Sequence, residues 1–174
     1  STARAMGIIR ARNKVRTLQI MSRKQIPIPE TLFSINPDNI ETQIEILGGT
    51  PVVIKLQEGT HGLGVILAET KKSAKSIIDT FYKMDQPILV QEYIKEAGGM
   101  DIRCFIVGGK VVAAMKRQSA EGEFRSNLHR GGTAEKIAFN ASLTMRSTWL
   151  LFKLAVECFR SFKSVRASMS VFLC

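Results

Sequence analysis

A glycine-containing stretch between two strand-like segments constrains the fold of this chain more than any other feature. Residues 57–64 read Gln-Glu-Gly-Thr-His-Gly-Leu-Gly, and they separate predicted strands at 51–56 and 65–68. Glycines let backbone N–H groups approach phosphate oxygens, and Lys55 just before them can neutralise charge. The stretch lacks the Gly-Lys-Ser/Thr ending of a P-loop and leads into a strand, whereas a Rossmann loop begins a helix.

This combination predicts a phosphate-covering hairpin that uses Gly59, Gly62 and Gly64. On the glycines alone, a simple flexible turn is an equally good interpretation. His61 lies in the same stretch, and His129 lies in a later loop. With two His and no paired Cys, we interpret both as hydrogen-bonding loop residues rather than zinc ligands.

The hydrophobic patterns predict the order helix, strand, helix, strand, strand, helix, strand and hairpin. The elements are a helix at 11–24, an extended segment at 28–35, a helix opened by 36–38 and closed by Gly48-Gly49, a helix capped by Ser73 with Ala74, Ile77, Ile78 and Phe81 facing inward, a strand at 87–94, and a hairpin of 102–107 with 110–115. This order is α+β, and it differs from the regular alternation of a Rossmann sheet.

The net charge of +10 over 174 residues raises the question of a nucleic-acid partner. Residues 1–26 carry seven basic groups and no acid, residues 143–174 carry five basic groups and one acid, and residues 27–142 are nearly neutral. A DNA- or RNA-binding domain more often carries its basic patch on the folded body. We therefore expect no direct nucleic-acid binding.

Membrane and secretory features are not evident in the sequence. No apolar run approaches the roughly 20 residues of a membrane helix, and the N-terminal residues show no signal-peptide pattern. Cys104, Cys158 and Cys174 are odd in number and widely spaced, which is typical of reduced thiols. We expect a cytoplasmic protein with no membrane partner.

Three further polar motifs could hold a nucleotide. Residues 91–94 (Gln-Glu-Tyr-Ile) end a predicted strand and could supply acceptors and walls for adenine, although an edge-strand polar pair is the alternative. Asp101 and Arg103 share a strand face and could bind ribose and phosphate, or form a surface ion pair. Residues 121–132 are too polar for a core, and they fit either a triphosphate-binding loop or a solvated one.

Taken together, these motifs resemble the RimK-type ligases of the ATP-grasp superfamily. The matching stretches are 11–14 (Ala-Arg-Asn-Lys), 53–56 (Val-Ile-Lys-Leu), 58–65 (Glu-Gly-Thr-His-Gly-Leu-Gly-Val), 89–97 (Leu-Val-Gln-Glu-Tyr-Ile-Lys-Glu-Ala), 101–104 (Asp-Ile-Arg-Cys) and 124–132 (Phe-Arg-Ser-Asn-Leu-His-Arg-Gly-Gly). The resemblance runs from about residue 5 to residue 142. Its last stretch is the most specific, because it separates RimK-like ligases from remoter ATP-grasp enzymes.

The resemblance implies an incomplete ATP-grasp fold. It divides the chain into a lead-in helix at 1–26, a small lobe with the phosphate hairpin at 27–94, the start of the large lobe at 95–142, and an anomalous segment at 143–174. The implied reaction is ATP-dependent ligation, in which an acyl-phosphate is attacked by the amine of L-glutamate. In the closest relatives the acceptor is the C-terminus of a ribosomal protein, and such ligases often form homo-oligomers.

Carried over by position, the resemblance implies eight ATP-binding residues: Lys14, Lys55, Glu92, Tyr93, Asp101, Arg125, Ser126 and Asn127. The two lysines would contact phosphates, Glu92 and Tyr93 would hold adenine, and Asp101 would hold the ribose. The last three residues would meet the triphosphate end. Arg103 is the catalytic candidate, because it could steady the acyl-phosphate.

The chain departs from the family where magnesium should bind. The family has a strand that ends in Asp and a late Glu-x-Asn, which together hold the Mg²⁺ ions that bridge the phosphates. After residue 142 this chain has one carboxylate, Glu157, and no Asn. The family's N-terminal lobe is also missing from these residues. We therefore expect no metal ligands in this chain and an impaired ligase.

The last segment, 143–174, is apolar and basic. A stripe at helical spacing, made of Leu151, Leu154, Ala155, Cys158, Phe159 and Phe162, predicts a docked helix, with a membrane-surface helix as the less favoured alternative. Two other functions fit the sequence besides the glutamate ligase. One is a non-catalytic nucleotide-binding or ribosome-associated module, and the other is an ATP-grasp ligase with a different acceptor.

Overall fold

The computed structural model describes residues 12–33, 37–58, 63–107, 110–137 and 168–173, and it confirms the α+β class. The described residues group into two compact units. The first unit comprises residues 12–22 and 28–93, and the second comprises 23–27 and the described residues from 94 onward. Gly59, His61 and Gly62 of the predicted phosphate hairpin and the predicted helical stripe at 151–162 lie outside the described residues.

The first unit is a four-stranded antiparallel sheet with helices. Its elements are α1 (Lys14–Arg23), β1 (Thr31–Phe33), a short 3₁₀ turn (Pro37–Asn39), α2 (Ile40–Ile46), β2 (Val52–Leu56), β3 (Val65–Ala68), α3 (Lys71–Lys83) and β4 (Ile88–Glu92). The strand order is β1-β4-β2-β3. Among the described residues, no helix is long and apolar enough to cross a membrane.

The core of this unit lies between the sheet and helices α2 and α3. Ile44, Ile54 and Ile78 are completely buried there, and Ile77 and Phe81 pack against the cluster as predicted. Successive side chains of a strand point to opposite faces. The burial of Val52 and Ile54 against the helices therefore places Lys55 on the other face of β2.

Helices α1 and α3 begin at side-chain caps. The Asn13 Oδ1 accepts the Arg16 N–H at 2.8 Å and starts α1. Helix α3 is capped by Thr70, whose hydroxyl accepts the Ser73 N–H at 3.1 Å while the Ser73 hydroxyl accepts the Thr70 N–H. The prediction of Ser73 as the cap is wrong, because Ser73 occupies the third helical position of a capping box.

Helix α2 ends at two glycines, as predicted. Gly48 and Gly49 have φ of +84° and +93°, a region that glycine adopts without a Cβ penalty. The Gly48 N–H donates to the Glu45 carbonyl and the Gly49 N–H to the Ile44 carbonyl, both at 2.9 Å. These bonds form a Schellman motif, which satisfies the last carbonyls of the helix.

The connection from β2 to β3 closes tightly at Gly64. The Leu56 N–H donates to the Gly64 carbonyl at 2.8 Å, and Gly64 has φ of +69°. A Cβ at Gly64 would lie 2.7 Å from Leu56 Cγ and 3.0 Å from Leu56 Cβ. Both the backbone conformation and the space therefore require glycine here.

The second unit contains a second sheet. Its strands are β5 (Met100–Val107), β6 (Lys110–Gln118), β7 (Thr133–Lys136) and β8 (Ser168–Leu173), in the order β7-β6-β5-β8. The predicted hairpin is confirmed as the antiparallel pair β5–β6 with longer arms than expected, and its turn at 108–109 lies outside the described residues. Strands β7 and β8 were not predicted, and β8 runs parallel to β5.

A β-bulge shifts the register of the β5–β6 pair. Near the turn, Val107 lies opposite Lys110, but beyond the irregularity Phe105 lies opposite Ala113. Val112 is therefore the extra residue on β6. The shift places Arg117, and not its neighbour Lys116, directly opposite Asp101.

Substitution of Gly64 tests the close approach to Leu56. Gly64→Ala should lower the free energy of unfolding by more than about 1 kcal/mol, because it combines a positive φ with a clash. Urea unfolding followed by circular dichroism measures this loss. Gly48→Ala is the matched control, since its φ is also positive but nothing lies within 4 Å of the added Cβ. Equal losses in the two variants would contradict a role for the Leu56 contact.

Candidate functional site

Lys55 is the central cation of the first unit. Its ammonium group donates a hydrogen bond of 2.5 Å to the Gln91 Oε1. Lys55 lies opposite Leu89 in the β2–β4 register, so Gln91 is its diagonal neighbour on the same sheet face. Gln91 is only 9% exposed. Its own amide nitrogen donates to the Thr31 Oγ1 at 2.7 Å.

A second cation, Lys14, comes from the first turn of α1. Its ammonium group donates to the Gln57 carbonyl at 3.3 Å. Burial and the nearby charge of Lys14 lower the pKa of Lys55 to about 8. Burial also lowers the pKa of Lys14, against the opposing effect of Glu58. Two partly desolvated cations that repel each other would be stabilised by an anion between or beside them.

Glu92 and Tyr93 follow at the end of β4. The Glu92 Oε1 accepts the Glu30 N–H at 3.0 Å, and the Glu92 N–H donates to the Glu30 carbonyl at 2.9 Å. Glu92, the last residue of β4, thus continues the pairing with β1 to Glu30, the residue before the start of β1. Both Glu92 and Tyr93 are partly buried. Their role at adenine stays a prediction.

Asp101 forms a buried ion pair in the second unit. The Arg117 Nε donates to Asp101 Oδ1 at 2.7 Å, and the Arg117 Nη2 donates to Asp101 Oδ2. Both residues are 5% exposed. The alternative of a surface ion pair is therefore wrong, because the partner of Asp101 is buried with it on the neighbouring strand. A carboxylate has further lone pairs, so a ribose contact stays a prediction.

Arg103 lies two residues along β5 from Asp101 and shares its face. Burial lowers the pKa of Arg103, and the charge of Arg117 acts in the same direction, while Asp101 opposes both. This strand face thus gathers two guanidinium groups and one carboxylate. Such an excess of positive charge suits an anion, which is the setting expected for a residue that steadies an acyl-phosphate.

Ser126 and Asn127 belong to the loop after β6. Ser126 is 8% exposed, and its hydroxyl lies 3.4 Å from the Arg117 Nη2. The Asn127 carbonyl accepts the Arg130 N–H at 3.0 Å at the start of a 3₁₀ turn, Leu128–Arg130. Ser126 therefore joins this loop to Arg117, the arginine of the buried pair on β6.

Arg125 is held by a carboxylate of its own loop. Its Nε and Nη2 donate to the two oxygens of Glu123 at 2.9 and 2.8 Å, and the Glu123 Oε1 also accepts the Arg125 N–H at 3.0 Å. These hydrogen bonds lower the pKa of Glu123 to about 2. The Arg130 Nη1 lies 3.9 Å from the same carboxylate. A phosphate that binds Arg125 would either share its guanidinium group with Glu123 or displace the Glu123 carboxylate.

Some partners that hold these side chains were not predicted from the sequence. Three such residues, Arg117, Glu123 and Thr31, were not among the predicted site residues. Arg117 contacts Asp101 and Glu123 contacts Arg125, whereas Thr31 contacts Gln91, the neighbour of Glu92. Glu123 could have been found, because it lies two residues before Arg125. Thr31 is 60 residues from Gln91, and no local pattern joins them.

The described residues do not supply a set of ligands for the magnesium that the resemblance implies. Within the described residues, no group of three or more His, Cys, Asp or Glu side chains could hold a metal ion. In the second unit, the carboxylates of Asp101 and Glu123 are engaged by guanidinium groups, Asp101 by Arg117 and Glu123 by Arg125. The residues present in the described ranges do not fit a magnesium site.

Comparison with known proteins now assigns the family. A family model described as a RimK-like ATP-grasp domain matches residues 11–164. The chain belongs to this family. The predicted resemblance is confirmed, and the match continues beyond residue 142, where the motifs had suggested that it ends.

Relatives and solved structures agree with this assignment. The probable alpha-L-glutamate ligase 1 of Pseudoalteromonas atlantica is 60% identical over 141 residues, which are 81% of this chain and 47% of that protein. The chain thus spans about half the length of this curated relative. A RimK domain ATP-grasp protein of Sphaerobacter thermophilus matches with a TM-score of 0.52 and 20% identity, over 84% of this chain and 64% of that one.

A D-alanine–D-alanine ligase of Bacillus anthracis, solved in complex with ATP, matches with a TM-score of 0.56 and 23% identity. The match covers 90% of this chain and 48% of that ligase. At this identity the solved structures show the fold alone, and the predicted ATP-grasp fold class is confirmed. ATP binding is a property of the RimK-like ATP-grasp family to which the chain belongs.

The Asp101–Arg117 pair should be strongly coupled. Asp101→Leu should destabilise the protein by about 3–5 kcal/mol, because it leaves the Arg117 charge buried without its carboxylate. The double variant Asp101→Leu/Arg117→Met should be clearly more stable than Asp101→Leu alone. Urea unfolding of the four proteins of this cycle measures the coupling. The pair is not coupled if the two single effects simply add.

Glu123 should contribute a pH-dependent stability. Its pKa is depressed to about 2 in the folded protein, so its contribution is complete above its ordinary pKa of 4.5 and is lost as the pH falls towards 2. In Glu123→Gln that contribution is already missing, and stability should decline less steeply between pH 5 and 2.5. Unfolding curves across this range test the slope. Glu121→Gln, at an exposed neighbour, is the control and should keep the wild-type slope.

Proposed function

We propose that this chain is the nucleotide-binding part of an ATP-dependent carboxylate–amine ligase that adds L-glutamate to the C-terminus of a ribosomal protein. The observation that carries the proposal is the partly buried Lys55 beside Lys14, two cations that an anionic phosphate chain would stabilise. Membership of the RimK-like ATP-grasp family and relatives named probable alpha-L-glutamate ligases support the choice of reaction.

In the proposed reaction, a substrate carboxylate oxygen attacks the γ-phosphorus of ATP, and ADP leaves. The amine of L-glutamate then attacks the acyl carbon, loses a proton, and expels inorganic phosphate to form the amide. Lys14 and Lys55 bind the phosphates and offset their charge, and Arg103 stabilises the acyl-phosphate. Phosphoryl transfer asks a protein mainly for positioning and for cationic stabilisation of this kind.

The remaining candidates complete the nucleotide site in this proposal. Glu92 and Tyr93 hold adenine, Asp101 holds the ribose, and the loop residues Arg125, Ser126 and Asn127 meet the triphosphate end. A cytoplasmic location suits this chemistry, since ATP and ribosomal proteins are found there. Homo-oligomerisation is part of the proposal only through the family resemblance.

We also propose that the ligase step is impaired in this chain. The described residues do not fit a magnesium site, and Glu157 is the one acid after residue 142. The same observations favour a second candidate function, a nucleotide-binding module without catalysis. Purified chain supplied with Mg-ATP, L-glutamate and an acceptor peptide should release little ADP. Robust turnover would contradict the impairment and leave the ligase proposal standing.

Nucleotide binding itself is tested at Lys55. Lys55→Met should weaken ATP binding about 10- to 100-fold, the effect of losing one charge-assisted contact of roughly 1.5–3 kcal/mol. Wild-type affinity should also fall as the pH rises above about 8, because Lys55 then loses its proton. Isothermal titration calorimetry between pH 6.5 and 9.5 measures both effects.

Lys71→Met is the matched control for this experiment. Lys71 lies in the same unit, but it is exposed and paired with Glu45. Its loss should leave both the ATP affinity and the pH profile unchanged. The proposed site is wrong if the wild-type chain binds no ATP, or if the Lys55 and Lys71 variants bind it equally well.

A further inference from the structure

A chain of hydrogen bonds ends on Lys55. The Lys55 ammonium donates to the Gln91 Oε1, the Gln91 Nε2 donates to the Thr31 Oγ1, and the Thr31 hydroxyl donates to the Pro29 carbonyl at 2.8 Å. Thr31 lies directly opposite Gln91 in the β1–β4 register. This series of hydrogen bonds therefore crosses three neighbouring strands, β2, β4 and β1, on one face of the sheet.

The direction of every bond in this chain is determined by chemistry. An ammonium group can only donate, so Gln91 must present its oxygen to Lys55. The Gln91 NH₂ must then face Thr31, whose oxygen accepts it. The Thr31 proton is directed to the Pro29 carbonyl, which can only accept. Thr31 thus prevents the amide of Gln91 from turning its NH₂ towards the lysine.

The neutrality of Gln91 matters for what Lys55 can bind. A carboxylate at this position would offset the ammonium charge and would weaken the binding of an anion to Lys55. An amide oxygen holds the ammonium in place but leaves its positive charge uncompensated. Cations elsewhere in the described residues, such as Arg117 and Arg125, are held by carboxylates instead.

We infer that Gln91 is a positioning residue that holds Lys55 ready for a phosphate without neutralising it, and that Thr31 fixes Gln91 in the required orientation. The inference deepens the proposed function, because it rests on phosphate binding by Lys55. Other charges near the lysine are Lys14, which repels it, and Glu58, which acts on Lys14. Neither of these is altered by changes at Gln91 or Thr31.

Gln91→Glu is the discriminating variant, since it keeps the size and shape of the side chain but places a negative charge beside Lys55, and it also removes the N–H that donates to Thr31. It should weaken binding of ATP about tenfold or more, and binding of inorganic tripolyphosphate to the same extent. The two affinities should fall equally, because the added negative charge weakens the attraction of Lys55 for phosphate and does not involve the adenine base. The pH above which ATP binding declines should also move upward from about 8, because a carboxylate raises the pKa of Lys55.

Thr31→Val is a second variant that introduces no charge. It removes the acceptor that orients Gln91, and it should weaken the binding of both ATP and tripolyphosphate about two- to fivefold. Thr31→Ser keeps the hydroxyl and should restore the wild-type affinity. A purely structural role for Thr31 would not separate these two variants. Circular dichroism and thermal unfolding confirm that each variant is folded before binding is compared.

A readout without nucleotide separates this inference from the proposed function. Carbon-13 NMR titration of the lysine Cε signals, with Lys55 assigned by its absence in Lys55→Met, reports the Lys55 pKa directly. A raised pKa in Gln91→Glu supports the part of the inference that concerns Lys55 itself, namely that wild-type Gln91 holds the ammonium without neutralising it, whereas absence of ATP binding in the wild type overturns the proposed function. An unchanged Lys55 pKa in Gln91→Glu overturns the inference. It is also overturned if the wild-type chain binds ATP and both Gln91→Glu and Thr31→Val bind it with the same affinity. Loss of ATP binding with unchanged tripolyphosphate binding overturns it too, and assigns Gln91 to the base.

Discussion

The packing of Val52 and Ile54 against helices α2 and α3 is the constraint on which the candidate site depends. Because side chains alternate along a strand, burying those two residues commits Lys55 to the opposite sheet face. There it meets Gln91, and Lys14 approaches closely enough to repel it. The hydrophobic core of the first unit thus also places the lysine whose pKa is lowered to about 8.

The cations among and beside the candidate residues are held in two different ways. In the second unit, Arg117 is paired with Asp101 and Arg125 with Glu123, which gives geometric order and offsets charge. In the first unit, Lys55 is held by a neutral amide and keeps its charge. The first arrangement suits residues that must stand in fixed positions, and the second suits a residue whose task is to attract an anion.

Much of the fold could be predicted from local sequence, and the errors have local causes. The inward stripe of α3 and the glycine stop of α2 follow from spacing alone, and both are confirmed. The cap of α3 was misplaced because Thr70 and Ser73 are both good cap residues, and only their reciprocal bonds reveal which comes first. Strand β7 is short and fully exposed, so it lacks the burial pattern that marks a strand in sequence.

The sequence by itself determined the α+β class, the family, and the presence of Lys14, Lys55 and the polar loop at 121–132, because these depend on periodicity and on contiguous motifs. Tertiary structure decided which partners those side chains meet. A bulge at Val112 shifts β6 by one residue and brings Arg117 to Asp101, where an unshifted hairpin would bring Lys116. Thr31 meets Gln91 across 60 residues of chain. Such partners are set by strand pairing and register, which long-range packing selects and no local stretch encodes.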